Sequence, residues 1–450
     1  MEAVRVMPDD VSVSTSLLAF IRKSPTAFHA VRTMRDLLEG AGFRYLPEGS
    51  AWRIARGGSY YTTRNGSSIV AFRIGERVGD ARFRIVATHD DSPTFKLKSK
   101  AELEGPEGYV RLNVEAYGGT IDRTWLDRPL SLAGRVMVSE KGSIAHRLVN
   151  LDEDLLLIPS VPIHMDRKVN ENGAINRNVD LYPLLSAGAL GKDALGRIVA
   201  QELGVAPEQI VSWDLFLVNR QPGVVWGAER EFVSSARIDN LQCTFAGLQA
   251  ILDAQNDHTI CVFACFDSEE VGSHTMQGAL STLLSKTLER ICVGLDMPAD
   301  EARASLARSI LVSCDNAHAL HPNHPELFDT GNRAFLNHGV VVKESASQRY
   351  ATDAISRALF LEVCRRNNVP TQGFANRSDL PGGSTLGNLA IRQAGMHVVD
   401  IGLPQLAMHS AYETAGTADT AHLVRALNGI YAEDFELTAE GDIRFTEHLV

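Results

Sequence analysis

Hydrophobic and polar positions along this chain follow three rhythms, and each predicts a different kind of element. Over residues 14–40, Leu17, Leu18, Phe20 and Ile21, then Val31, Met34, Leu37 and Leu38, recur at helical spacing, and Gly40 and Gly42 supply the stop. Between 59 and 88 the runs shorten. SSIVAFRIG and ARFRIVATH are rich in β-branched and aromatic residues, which predicts strands. From about 100 to 231, YVRLNVEAYGG, SLAGRVMVSE and SWDLFLVNRQP read as strands joined by Gly, Pro and Asp turns, with one helix candidate at 191–203. After Arg237, the runs HTICVFACFD, RSILVSCDN and MHVVDIGLP are continuously apolar, as expected of parallel strands buried on both faces. Helices are predicted between them at 244–254, 276–290 and 352–366. Strands alternating with helices predict an α/β fold with helices on both faces of the sheet. The β-rich stretch at 100–232 would interrupt it as an inserted unit, between residues 1–99 and 233–450.

Composition narrows the class. The chain of 450 residues exceeds what one core accommodates, which supports more than one domain. The net charge of −11 repels phosphate backbones, so nucleic acid is not an expected partner. It also means that any pocket for an acidic ligand must carry its own cations. No apolar run approaches the roughly 20 residues of a membrane helix, and MEAVRVMPDDVSV lacks the build of a secretory leader, so a cytoplasmic protein is expected. Cys243, Cys261, Cys265, Cys292, Cys314 and Cys364 form no CxxC pair and lie mostly inside apolar runs, which suits buried, reduced thiols.

The candidate chemistry sits where the predicted strands stop. One run ends at His89 and Asp91, another at Glu269 and Glu270, another at Asp315, and the last reaches His409 through a short loop. Ligands of open α/β sheets bind beyond the carboxyl ends of strands, so four segments could serve one crevice. Asp239, before an apolar helical stretch, is a fifth candidate, although alone it reads equally well as a helix cap. Two His, two Asp and a Glu make a mixed N/O set suited to Zn2+, Mn2+ or Co2+. Five ligands suit two ions if one carboxylate bridges. Neighbouring Glu269 and Glu270 point differently, so one can bind metal while the other acts as base.

In order along the chain, ATHDDSPTFKLK, NVEAYGGTIDRTWLDRPLSLAGRV, IPSVPIHMDRKVNENG, ARIDNLQCTF, FDSEEVGSHTMQGA, CDNAHALHPNH, VVVKESASQRYATD, RSDLPGGSTLG and IGLPQLAMHSAYE resemble the aspartyl aminopeptidase family of zinc peptidases, over nearly the whole length. The resemblance implies a zinc-peptidase sheet, interrupted by a β-rich dimerisation domain. It implies two divalent ions, Zn2+ first, with Mn2+ or Co2+ as alternatives. His89, Asp239 and Asp315 would hold one, and Asp239, Glu270 and His409 the other, with Asp239 bridging. Glu269 would be the general base, and Asp91 would orient His89. Asp90 departs from the pattern, since a Thr is common there. The implied reaction is removal of N-terminal Asp or Glu from peptides by a metal-bridged hydroxide. Lys343 would meet the substrate's acidic side chain, with His318 and Tyr350 lining the same pocket. His164 would reach the neighbouring subunit's site, touching substrate or, alternatively, metal. The family forms dodecamers built from dimers, so a large homo-oligomer is expected, without a membrane partner.

Overall fold

The computed structural model describes residues 6–79, 82–171, 173–380, 382–383, 385–438 and 440–446. Five strands organise the site: β1 (Phe83–His89), β2 (Ile260–Phe266), β3 (Ile310–Cys314), β4 (Val340–Glu344) and β5 (His397–Gly402). They belong to a nine-stranded sheet. β2, β1, β3 and β5 lie side by side in that order, all parallel, so their carboxyl ends share one edge. β4 runs antiparallel to β5.

Both faces of this sheet are covered, which is why its strands read as unbroken apolar runs. Val86, Phe263, Val312 and Val399 pack on one side with the helices Pro8–Lys23, Ile238–Asp253 and Asp419–Ala432. Ile85, Val262, Leu311 and Val398 pack on the other with Leu283–Gly294 and Gly387–Ala394. The two-faced α/β architecture expected from the sequence is present.

A six-stranded antiparallel sheet draws its strands from Thr94–Glu104 through Ile210–Asn219 and encloses its own core around Phe95, Trp125, Leu132 and Leu215. The helix Ala194–Leu203 packs with it, as its amphipathic spacing predicts. A third, five-stranded sheet pairs Phe232–Ser235 with Glu413–Gly416 and carries Pro404–Leu406 and Ala317–His318. Among the described residues, no helix is long and apolar enough to cross a membrane. All six cysteines are buried, and none is in a disulfide.

Two expectations need correction. The single helix predicted over 14–40 is two, Pro8–Lys23 and Ala27–Gly40. Pro25 offers no N–H and disfavours helical backbone at Ser24, so the chain breaks there. The helix predicted from 276 begins only at Leu283. Gly278 folds tightly onto the Ser273 backbone, where an added Cβ would lie 2.4 Å from the Ser273 carbonyl oxygen.

Candidate metal centre and active site

Strand register delivers the first residues. His89 is the last residue of β1 and stands opposite Phe266, the last of β2. Glu269 and Glu270 follow β2 in a short 3-10 turn entered through Ser268, at φ 66°. Asp315 directly follows β3, and its N–H donates to the Ile401 carbonyl of β5. Asp239 does not cap its helix. The chain enters that helix through non-helical backbone at Asp239 and Asn240, and no side-chain cap is formed. His409 lies in the loop beyond Pro404–Leu406, at φ 68°.

These positions converge. His89, Asp239 and Asp315 bring one potential ligand atom each to within 4.8 Å of one another, and so do Asp239, Glu270 and His409. His89 Nε2 is 3.4 Å from Asp315 Oδ1 and 3.6 Å from Asp239 Oδ1. His409 Nε2 is 3.3 Å from Glu270 Oε2 and 3.5 Å from Asp239 Oδ2. Asp239 thus faces both groups, one oxygen to each. The set fits cations on independent grounds. Both imidazoles pair Nδ1 with a backbone carbonyl, His89 with Asp91 at 3.1 Å and His409 with Gly119 at 3.0 Å, which turns Nε2 into the centre. Asp239 Oδ1 and Glu270 Oε1 are buried without a hydrogen-bond partner.

Asp91 touches more than His89. Its carboxylate lies 3.4 Å from His89 Nδ1 and accepts the N–H groups of Glu269 and Glu270, each at 3.1 Å, and the Tyr117 hydroxyl at 2.8 Å. Asp90 clusters separately with Asp91 and Asp267. Both its carboxylate oxygens are buried and unpartnered, and burial with the charge of Asp267 raises its pKa well above the ordinary value.

So many carboxylates in one place repel. Burial first, then Asp315, Asp91 and Asp239, push Glu269 up to about 8 against the pull of His89. Burial and Asp239 raise Glu270 well above its usual range. Burial opposes charge on His409, but Asp239 outweighs it and holds the ring at about 9. Divalent cations among these groups would reverse those directions.

Lys343, on β4, is 2% exposed. Its ammonium donates to the Asn316 carbonyl at 2.7 Å, lies 3.7 Å from Asp315 Oδ2 and sits 5.4 Å from the Tyr350 ring centroid. Burial opposes its charge, but Asp315 more than compensates and raises its pKa. His318 lies at the end of the neighbouring short strand, its ring against Phe374. His164 lies apart, on an exposed turn of the β-rich unit, and joins none of the ligand groups among the described residues.

Sequence reasoning misses Glu413 and Tyr117. Glu413, buried, accepts the N–H of Asp239 at 3.0 Å and of His409 at 2.7 Å. Its only signal in the sequence is its place at the end of the MHSAYE segment.

Residues 20–431 match the family model for aminopeptidase I zinc metalloprotease (M18). The chain is 41% identical over 433 residues to "Probable M18 family aminopeptidase 2" of Clostridium novyi (strain NT), covering 94% of this chain and 100% of that protein. A solved structure of an Ape4 and Nbr1 complex superposes with a TM-score of 0.91 at 36% identity, covering 95% of this chain and 87% of that one. The mApe1 dodecamer of Saccharomyces cerevisiae superposes with a TM-score of 0.82 at 28% identity, covering 94% and 97%. Family match, fold and an oxygen- and nitrogen-rich centre at the sheet edge agree, and the chain belongs to the M18 family of zinc metallo-aminopeptidases, hydrolases that remove N-terminal residues from peptides.

Proposed function

We propose that this aminopeptidase prefers peptides with N-terminal Asp or Glu and that it works with two divalent ions. The observation that carries the two-ion reading is Asp239, whose two oxygens face two separate ligand groups. His89, Asp239 and Asp315 would hold one ion, and Asp239, Glu270 and His409 the other, with Zn2+ favoured and Mn2+ or Co2+ compatible with the same donors. Ions held there supply the Lewis acid that polarises the scissile carbonyl and acidifies water.

The chain's own residues do the rest. Glu269 has no place in either ligand triad that shares Asp239, so its carboxylate is left free to act beside the ions. It takes the proton of the attacking water and returns it to the leaving amine. Asp91 fixes that base by accepting its N–H. The free α-amine of the substrate would bind near the second ion and the carboxylates around it, which restricts cleavage to the chain end. Lys343 supplies the cation that an acidic side chain needs, and an uncharged side chain would gain no charge pairing from it. His318 and Tyr350 line that pocket.

The β-rich unit at residues 100–232 is the dimerisation domain in this reading. Support comes from Val161, Ile163 and Met165, exposed by 54%, 47% and 81% on either side of His164 along the chain, apolar groups suited to burial against a second copy. His164 would then enter the neighbour's site to touch substrate. A dodecamer of such dimers follows the assembly named for the yeast neighbour.

A peptide library offered to the metal-reconstituted protein tests the specificity. Release of N-terminal Asp and Glu ahead of neutral residues is expected, and a preference for neutral residues would overturn it. Glu269→Gln is expected to lower kcat by at least about 100-fold, with metal content and assembly retained. Unchanged turnover would remove Glu269 as the base.

A further inference from the structure

Asp239 and His409 come from different parts of the fold, yet one carboxylate holds both backbones. Glu413 Oε2 accepts the N–H of Asp239 at 3.0 Å, and Oε1 accepts the N–H of His409 at 2.7 Å. The Gln405 amide lies 3.5 Å from Oε1, so the side chain is enclosed by donors. Glu413 is 2% exposed and opens a strand paired with Phe232–Ser235, where it stands opposite Ser235. Its position is therefore set by a sheet. The two backbones it holds are not regular. Asp239 is non-helical inside its helix, and His409 occupies left-handed backbone at φ 68°. Neither lies in a regular ladder: Ser92 Oγ donates to the Asp239 carbonyl at 2.7 Å and the Ile121 N–H to the His409 carbonyl at 3.0 Å, and Glu413 links the two by accepting both N–H groups.

The geometry points to Glu413 as a positioning residue that sets the spacing of Asp239 and His409 and so tunes one ion of the pair. This rests on the two-ion reading above. Asp91 is its counterpart, accepting the N–H groups of Glu269 and Glu270. One buried carboxylate thus clamps the base and a ligand, and the other clamps two ligands. His89 and Asp315 lie outside the grip of Glu413: His89 ends β1, and the Asp315 N–H is taken by Ile401. The group of His409, Glu270 and Asp239 should accordingly depend on Glu413 more than the group of His89, Asp315 and Asp239. Gln is a poor replacement despite its shape, because its amide nitrogen would face one of the two N–H donors.

The test is a Co2+ titration of metal-free wild type, Glu413→Gln and Glu413→Ala, followed by visible absorbance against a competing chelating dye, with thermal melts alongside. Wild type is expected to bind two ions. Glu413→Gln should keep one at wild-type affinity and bind the other about 10- to 100-fold more weakly, the usual effect of losing an outer support. If the alanine variant does not fold, the isosteric variant decides. Two ions at wild-type affinity in Glu413→Gln would overturn the clamp alone. Equal weakening of both ions together with a lowered melting temperature would also overturn it, by showing a merely structural role. A wild type that takes up no second ion would overturn the two-ion reading, and the clamp with it.

Discussion

Lys343→Met separates the ammonium's observed pairing with Asp315 from its proposed contact with substrate. Methionine keeps the length and the buried stem but removes the charge. In the native site that charge lies 3.7 Å from Asp315 Oδ2 and donates to the Asn316 carbonyl at 2.7 Å, with the side chain 3% exposed. If the ammonium also receives the substrate's carboxylate, the lost interaction is a charged hydrogen bond worth about 1.5–3 kcal/mol, net of desolvation. That converts to roughly a 10- to 150-fold fall in the ratio of kcat/KM for Asp-peptides over Leu-peptides, at about 1.4 kcal/mol per decade. A second effect is independent of substrate. Asp315 loses one of two cationic partners, His89 Nε2 at 3.4 Å being the other, so the cost stays below the roughly 3–5 kcal/mol of a fully orphaned buried carboxylate. The metal-free variant should therefore melt lower than metal-free wild type, and Zn2+ should close much of the gap. The assay pairs Asp- and Leu-terminated fluorogenic peptides with thermal melts. An Asp-over-Leu ratio within twofold of wild type, beside a lowered melting temperature, would refute the substrate role and leave Lys343 as the partner of Asp315.

Four further outcomes follow from the structure. Chelation should abolish hydrolysis, and Zn2+, Mn2+ or Co2+ should restore it. Because without ions the protein's own groups hold His409 at about 9 and Glu269 at about 8, metal uptake at pH 7 should release protons, seen as a buffer-dependent heat in calorimetry; full activity of metal-free protein, or uptake without release, contradicts this. Gly402→Ala would place a Cβ 1.9 Å from the Asp315 carbonyl oxygen and 3.1 Å from Lys343 Cε, so the backbone must shift and both melting temperature and metal affinity should drop; wild-type values for both would show that the strand tolerates it. His29 is half-buried near Arg237, and its partial burial with that charge lowers its pKa from 6.5 to about 4. The unfolded chain then binds more protons between those values, so stability is full above pH 6.5 and falls as pH drops towards 4, by at most about 3 kcal/mol. In urea unfolding at pH 7 and 4.5, His29→Gln should lose less than wild type, and an equal loss would exclude His29 as a source.

Legibility differed from residue to residue for physical reasons. His89, Asp315, Glu269 and Glu270 could be found because each follows an apolar strand, and strands buried on both faces announce themselves. His409 was harder, lying in a loop seven residues after β5 ends at Gly402. Asp239 was ambiguous, since an Asp before a helix usually caps it. Only the fold shows that its N–H is held by Glu413 and its oxygens face two groups. Glu413 carried no local signal, because its role is to accept from residues 174 and 4 positions away.

The sequence by itself determined which elements form and where the chemistry stands along the chain, because apolar periodicity and the residue types at strand ends are local properties. Its ordered motifs also determined the family. The tertiary structure decided what depends on distance between remote segments: the parallel register that brings four strand ends to one edge, the two faces of Asp239, the paired grips of Asp91 and Glu413, and the burial of Lys343 against Asp315. Hydrogen bonds and charge interactions act within a few ångströms in space, and no spacing along a chain encodes that.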